Sequence, residues 1–331
     1  TTDTHTYNTA LGYGAGNAVT SGINNTLVGA LVGDALTDAD DNTAMGRGAL
    51  STDTLGSKST AIGRNALTTQ NFTTASDSHN TAVGYQAGLE VTTGIQNTFV
   101  GSLAGDATTT ASKNVAIGTN ALSTNILGSN STAVGTAALF TQNPATATDM
   151  YNTAVGFEAA KLLTTGTSNT IIGGVAGDSL TTGSRNVAVG VASLQNDQAG
   201  SKSVALGTRA LTTQRPATSV DMLNVGIGED AGLEITTGIQ NTLVGGNAGD
   251  ALTDADYNTA VGQNALSSDT LGSRSTALGQ GALFTQNFTT ATNAYNVAVG
   301  YDTGVSVTTG AQNTLVGGLA GDALTTGSSN V

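Results

Sequence analysis

A glycine closing the pattern Asn-[Thr/Val]-Ala-aliphatic-Gly recurs along the whole chain, at Gly12, Gly29, Gly46, Gly63 and then Gly84. The spacings run 17, 17, 17 and 21, and the series then restarts, so that Gly12, Gly84, Gly156, Gly228 and Gly300 are each 72 residues apart. Eighteen short units in groups of four fill the 331 residues. Self-similarity at this period constrains the fold more than any other feature, because each unit must be one layer that buries its apolar side only against copies of itself.

A 17-residue unit with several glycines is too short for a helical hairpin, and it lacks the 3.6-residue apolar periodicity of a helix. Pentads such as NVAIG at 114–118 and NVAVG at 186–190 are short β-branched runs bounded by Asn and Gly, which reads as strand and turn. The unit therefore predicts one coil of an all-β parallel β-solenoid, or β-roll, stacked at about 4.8 Å per coil. Asn stands four residues before the anchor glycine in fourteen units, and Ser in the other four, all of them 21-residue units. The Asn and Gly of Asn80 and Gly84, Asn97 and Gly101, Asn114 and Gly118, and Asn152 and Gly156 are expected to be the structural anchors. Both are suited to positive φ, and the stacked Asn side chains to an amide ladder. The repeat runs unbroken over residues 1–331 and both ends fall inside a unit, so one continuous array, a segment of a longer fibre, is expected.

Composition narrows the function classes. Gly numbers 45, Cys and Trp are absent, and the formal net charge is −13, which disfavours nucleic acid and anionic membrane surfaces as partners. Without Cys there is no disulfide framework or thiolate metal site. No run of 18 apolar residues is present, so no membrane insertion is expected in this segment.

Alternation along a strand puts Thr81 and Val83 on one side and Ala82 on the other. The Ala position becomes large in the second unit of each four, at Leu27, Phe99, Ile171, Leu243 and Leu315. Both faces then read as largely apolar. One fills the interior, and the other is expected to be covered by a second copy of the chain.

The stretches AIGRNAL (61–67), NVAIGTNAL (114–122), SVALGTRAL (203–211) and GSRNVAVG (183–190) resemble the YadA-like head repeats of trimeric autotransporter adhesins. The longer form with TTG and NT also resembles repeats of viral and phage tail-fibre proteins. The resemblance covers the whole chain. It implies a left-handed parallel β-roll, a homotrimer around one axis, an extracellular, cell-surface or virion location, and attachment to a host-surface glycan or protein as the task.

Several candidate sites read as repeat grammar. GIGEDA at 226–231 matches a dinucleotide fingerprint but lacks the strand–turn–helix context. Asp34, Asp106, Asp178, Asp250 and Asp322 recur every 72 residues, and turning a corner accounts for them better than Ca²⁺ does. His5 and His79 have no metal-ligand neighbours at useful spacing. No cofactor, metal or catalytic residue is expected. A fibre-borne polysaccharide-degrading enzyme, the first alternative, needs an acid cluster interrupting the repeat. An ice-binding solenoid, the second, needs Thr-x-Thr rows, whereas the adjacent pairs at Thr92/Thr93 and Thr236/Thr237 alternate sides. The 21-residue units carry the candidate ligand-contact loops, each with an inserted ring at Phe72, Pro144, Pro216 or Phe288, because insertions in repeats map to surface loops.

Overall fold

The computed structural model describes residues 5–331. The chain is an all-β parallel β-solenoid of about eighteen coils, in two compact units, Thr1–Thr165 and Gly166–Val331, with nine three-residue strands in each. In the first unit these run from Thr9–Leu11 to Thr153–Val155, and in the second from Thr170–Ile172 to Thr314–Val316. Pairing is in register within each unit. Thr81 lies opposite Thr98, Ala82 opposite Phe99 and Val83 opposite Val100. The 21-residue coil keeps that register, with Thr60 opposite Thr81. Its four extra residues are taken up elsewhere in the turn, where Gly56–Ser57 pairs with Ser76–Asp77 as a small second ladder.

The anchor glycines have a steric cause. Gly84 sits at φ +146°, and a Cβ there would lie 2.3 Å from the carbonyl oxygen of Gly101 in the next coil. Gly118 repeats this at φ +134° against Gly135. The anchor Asn residues do not share the positive φ expected of them. The residue just before each takes it instead, Gln96 at φ +60° and Lys113 at φ +60° among them. The Asn is there for its side chain. The Asn97 backbone N–H donates to Asn80 Oδ1 at 2.9 Å, and Asn97 Nδ2 donates to the Ala111 carbonyl at 3.0 Å. Asn114 repeats both bonds, to Asn97 Oδ1 at 3.0 Å and the Gly128 carbonyl at 2.9 Å. The ladder thus satisfies backbone groups that the three-residue strand leaves over at its start.

The middle residue of each pentad points inward. Ala82, Phe99, Ala116 and Ala133 are buried. In the second coil of each four that residue is large and the position four after the anchor is Gly. In the third and fourth coils it is Ala and that position is Leu, as at Leu67 and Leu122; in the first coil both are small, as at Ala82 and Gly88. The Phe99 ring fills the space over Gly88 and Gly105, whose Cβ atoms would come within 2.9 Å and 2.5 Å of it. Large side chains such as Leu67 and Phe99 reach over the small residues of the coil between them, so the narrow interior stays filled. The outward side is not a second apolar face. It is one row that is mostly Thr beside one aliphatic row.

Candidate functional site

The inserted segments were expected to present their rings to a ligand, and the structure corrects this. Phe72 and Phe288 are 6% and 7% exposed, and Pro144 and Pro216 are buried as well. The reason is space under the glycine of the coil before. A Cβ on Gly56 would lie 2.7 Å from the Phe72 ring, and one on Gly272 2.8 Å from the Phe288 ring. The longer turn needs an apolar plug for its wider interior, and the extra residues that reach solvent are small, at Thr73, Thr74 and Ala75. Phe288→Ala is expected to lower stability by about 3–5 kcal/mol with no direct effect on any surface contact, measured by thermal melting and by binding of the folded variant.

Under each ring lies a polar cluster that sequence reasoning missed. Gln70 Nε2 donates to Asp53 Oδ2 at 2.6 Å and to Ser59 Oγ at 2.8 Å, and Asn80 Nδ2 donates to Gln70 Oε1 at 2.9 Å. Asp53, Ser59, Gln70 and Asn80 are all buried. The cluster recurs around Gln142, Gln214 and Gln286. It explains the Ser at 59, 131, 203 and 275, because the Gln amide occupies the space that an Asn side chain fills elsewhere. The signal was in the sequence. A Gln eleven residues after each Ser-for-Asn exchange recurs every 72 residues. Position 125 holds Asn where the other three clusters have Asp.

The remaining candidates fall into structural roles. Asp106 and Asp250 accept hydrogen bonds from Ser123 and Ser267, each at 2.6 Å, and partial burial raises both carboxyls above the ordinary range against those bonds. Among the described residues no group of three or more His, Cys, Asp or Glu side chains could hold a metal. GIGEDA places Gly226 in a strand centre and Gly228 at an anchor, with no helix to receive a phosphate. The paired Thr hydroxyls are used internally, Thr92 Oγ1 donating to the Thr109 carbonyl at 3.3 Å and Thr236 Oγ1 to that of Thr253 at 3.2 Å. Among the described residues no helix is long and apolar enough to cross a membrane.

What does face solvent is a column of left-handed corner residues, one per coil, before each anchor Asn or Ser. In the first coil of each four this position holds Tyr7, His79, Tyr151, Leu223 or Tyr295, with Tyr151 60% and Tyr295 50% exposed. Tyr13, Tyr85, Phe157 and Tyr301, one residue past the anchor of the same coils, are exposed too. Three basic residues in the column are already engaged. Lys58 and Lys202 pair with Asp77 and Asp221, and the Arg274 guanidinium lies 4.6 Å over the Tyr257 ring. These exposed rings, not the inserted ones, form the candidate contact surface. No protein-family model matches the chain, and no curated protein matches it.

Proposed function

We propose that the chain is a structural and adhesive shaft of an extracellular fibre, on a cell surface or a virion, that attaches to a surface glycan. The observation that carries this reading is the recurrence of exposed rings at a 72-residue spacing, in four of the five first coils, on a layer that hardly changes beneath them. An aromatic ring stacks on the apolar face of a sugar at low cost in side-chain entropy. Contacts that are weak singly become strong when several act from one chain.

The test is retention of the 331-residue protein on immobilised bacterial surface polysaccharides, read by surface plasmon resonance. Wild type is expected to bind, and Tyr151→Ala combined with Tyr295→Ala to dissociate faster while keeping its circular dichroism. Absence of retention on every polysaccharide, with the protein folded, would sink the reading.

A further inference from the structure

The outward sheet face of the first unit carries two parallel rows. Eight of the nine positions that open the strands are Thr, from Thr9 to Thr153, the exception being Val115. Two residues further on, the same strands present Leu11, Val28, Met45 and their successors up to Val155. Every strand is in register with the next, so each row is straight at residue level. The register continues through Val115 to Thr132 and Thr153. Neither row holds a charged residue, although the chain carries 33 of them.

The hydroxyls of these Thr residues differ from those elsewhere in the coil. In the turns, Thr hydroxyls such as those of Thr69, Thr92 and Thr109 donate to carbonyls of the next coil. In the sheet, those of Thr43, Thr60, Thr81, Thr98 and Thr132 donate to no atom of the described residues. The result is a single row of free hydroxyls beside a parallel aliphatic row. Its repeat is about 4.8 Å up the stack and about 6.6 Å across to the aliphatic row, from standard strand geometry. The spacing along the hydroxyl row is close to the short oxygen repeat on the prism faces of hexagonal ice. The β-branched side chains have few rotamers to lose, and methyl groups between the hydroxyls leave water over the face no sideways partner.

We propose that this face of the first unit binds ice. Of the possible occupants, the face fits crystalline water best. It is uncharged, as a neutral lattice requires, and it has no ring or charge with which to grip a glycan or a charged peptide. A second copy would bury two rows of hydroxyls that have no protein partner, and would bring together two chains that each carry −13. In the second unit the Thr row is broken by Val187, Val204, Val225 and Val297, which makes the first unit the stronger face. The Thr-x-aliphatic pattern on eight of the nine coils of the first unit replaces the adjacent Thr pairs as the relevant feature, because parity puts positions 81 and 83 on the same side. The proposal is independent of glycan attachment, which can fail while ice binding stands.

The experiment is thermal hysteresis and ice-crystal shaping by the full 331-residue protein, with sedimentation equilibrium on the same samples. Wild type is expected to hold a hysteresis gap and shape ice. Thr98→Lys is expected to abolish both, Thr276→Lys in the second unit to reduce them less, and Thr74→Lys on an exposed turn to leave them unchanged. Thr98→Tyr, neutral and strand-favouring, stands in if the Lys variant does not fold. Folded wild type without hysteresis overturns the proposal. So does equal loss in Thr74→Lys. A wild-type multimer that Thr98→Lys turns into a monomer overturns it too, by assigning the face to a second copy.

Discussion

Gly118→Ala is expected to lower stability sharply. Its φ of +134° lies where L residues are strained, and the new Cβ would meet the Gly135 carbonyl oxygen at 2.5 Å and its carbon at 2.6 Å. Backbone strain costs about 1–3 kcal/mol and overpacking against an immovable neighbour about 1–3 kcal/mol more. In a stack where each coil contacts only its neighbours, that loss falls on one interface and uncouples the coils on either side. Gly246→Ala is the control. Nothing lies within 4 Å of a Cβ there, so a change within about 0.5 kcal/mol is expected. Thermal melting followed by far-ultraviolet circular dichroism compares the two. Equal melts would show that the anchor is not a close approach.

The second large effect lies in the buried clusters. Gln214→Leu removes the donor to Asp197 Oδ2 at 2.5 Å and to Ser203 Oγ at 3.0 Å, and the acceptor for Asn224 Nδ2 at 2.9 Å. Each buried group left unsatisfied costs about 1–3 kcal/mol, more for a carboxylate, so a loss on the order of 3–5 kcal/mol is expected. Gln142→Leu faces the neutral Asn125 and is expected to cost less. If the two cost the same, the carboxylate is not what the Gln serves.

The same cluster gives a pH dependence. Burial raises the Asp197 carboxyl above its ordinary range, outweighing the hydrogen bonds from Gln214 and from the Gly200 and Ala199 backbone. The folded value lies above the unfolded one, so the stabilisation from protonation is complete below about pH 4 and is lost as pH rises through the raised folded value. Asp197→Asn removes that slope and is expected to melt above wild type at pH 7 and closer to it at pH 4. The chain itself shows that the geometry admits Asn. Asn125 accepts from the Gly128 N–H at 3.0 Å and donates to the Gly128 carbonyl at 2.7 Å. A melting temperature for Asp197→Asn below wild type at pH 7 would refute this account.

How much of this was legible beforehand differs from residue to residue. The repeating 17-17-17-21 step made in-register stacking legible, since Thr81 and Thr98 hold the same place in successive units. The Ser at 59, 131, 203 and 275 marked where the layer changes. The inserted rings were misplaced because a loop insertion is by habit assigned to the surface, whereas Phe72 plugs a widened interior whose glycine floor at position 56 is visible only in space. The Asn anchors were credited with an unusual backbone because Asn tolerates it, yet their side chains carry the role through bonds 17 and 14 residues away.

By itself, then, the sequence determined the period, the parallel register, the three-residue strands and the coils that are longer, because these depend only on spacing along the chain. The tertiary structure alone decided which side of each strand is inside. Alternation fixes that positions 81 and 83 share a side, but not which side, and the choice is made when the chain closes on itself. Burying the Ala, Leu and Phe row, with glycine beneath each large side chain, is the closure that fills a narrow interior without voids. That closure turns the Thr hydroxyls out to water, and so decides what the face can bind.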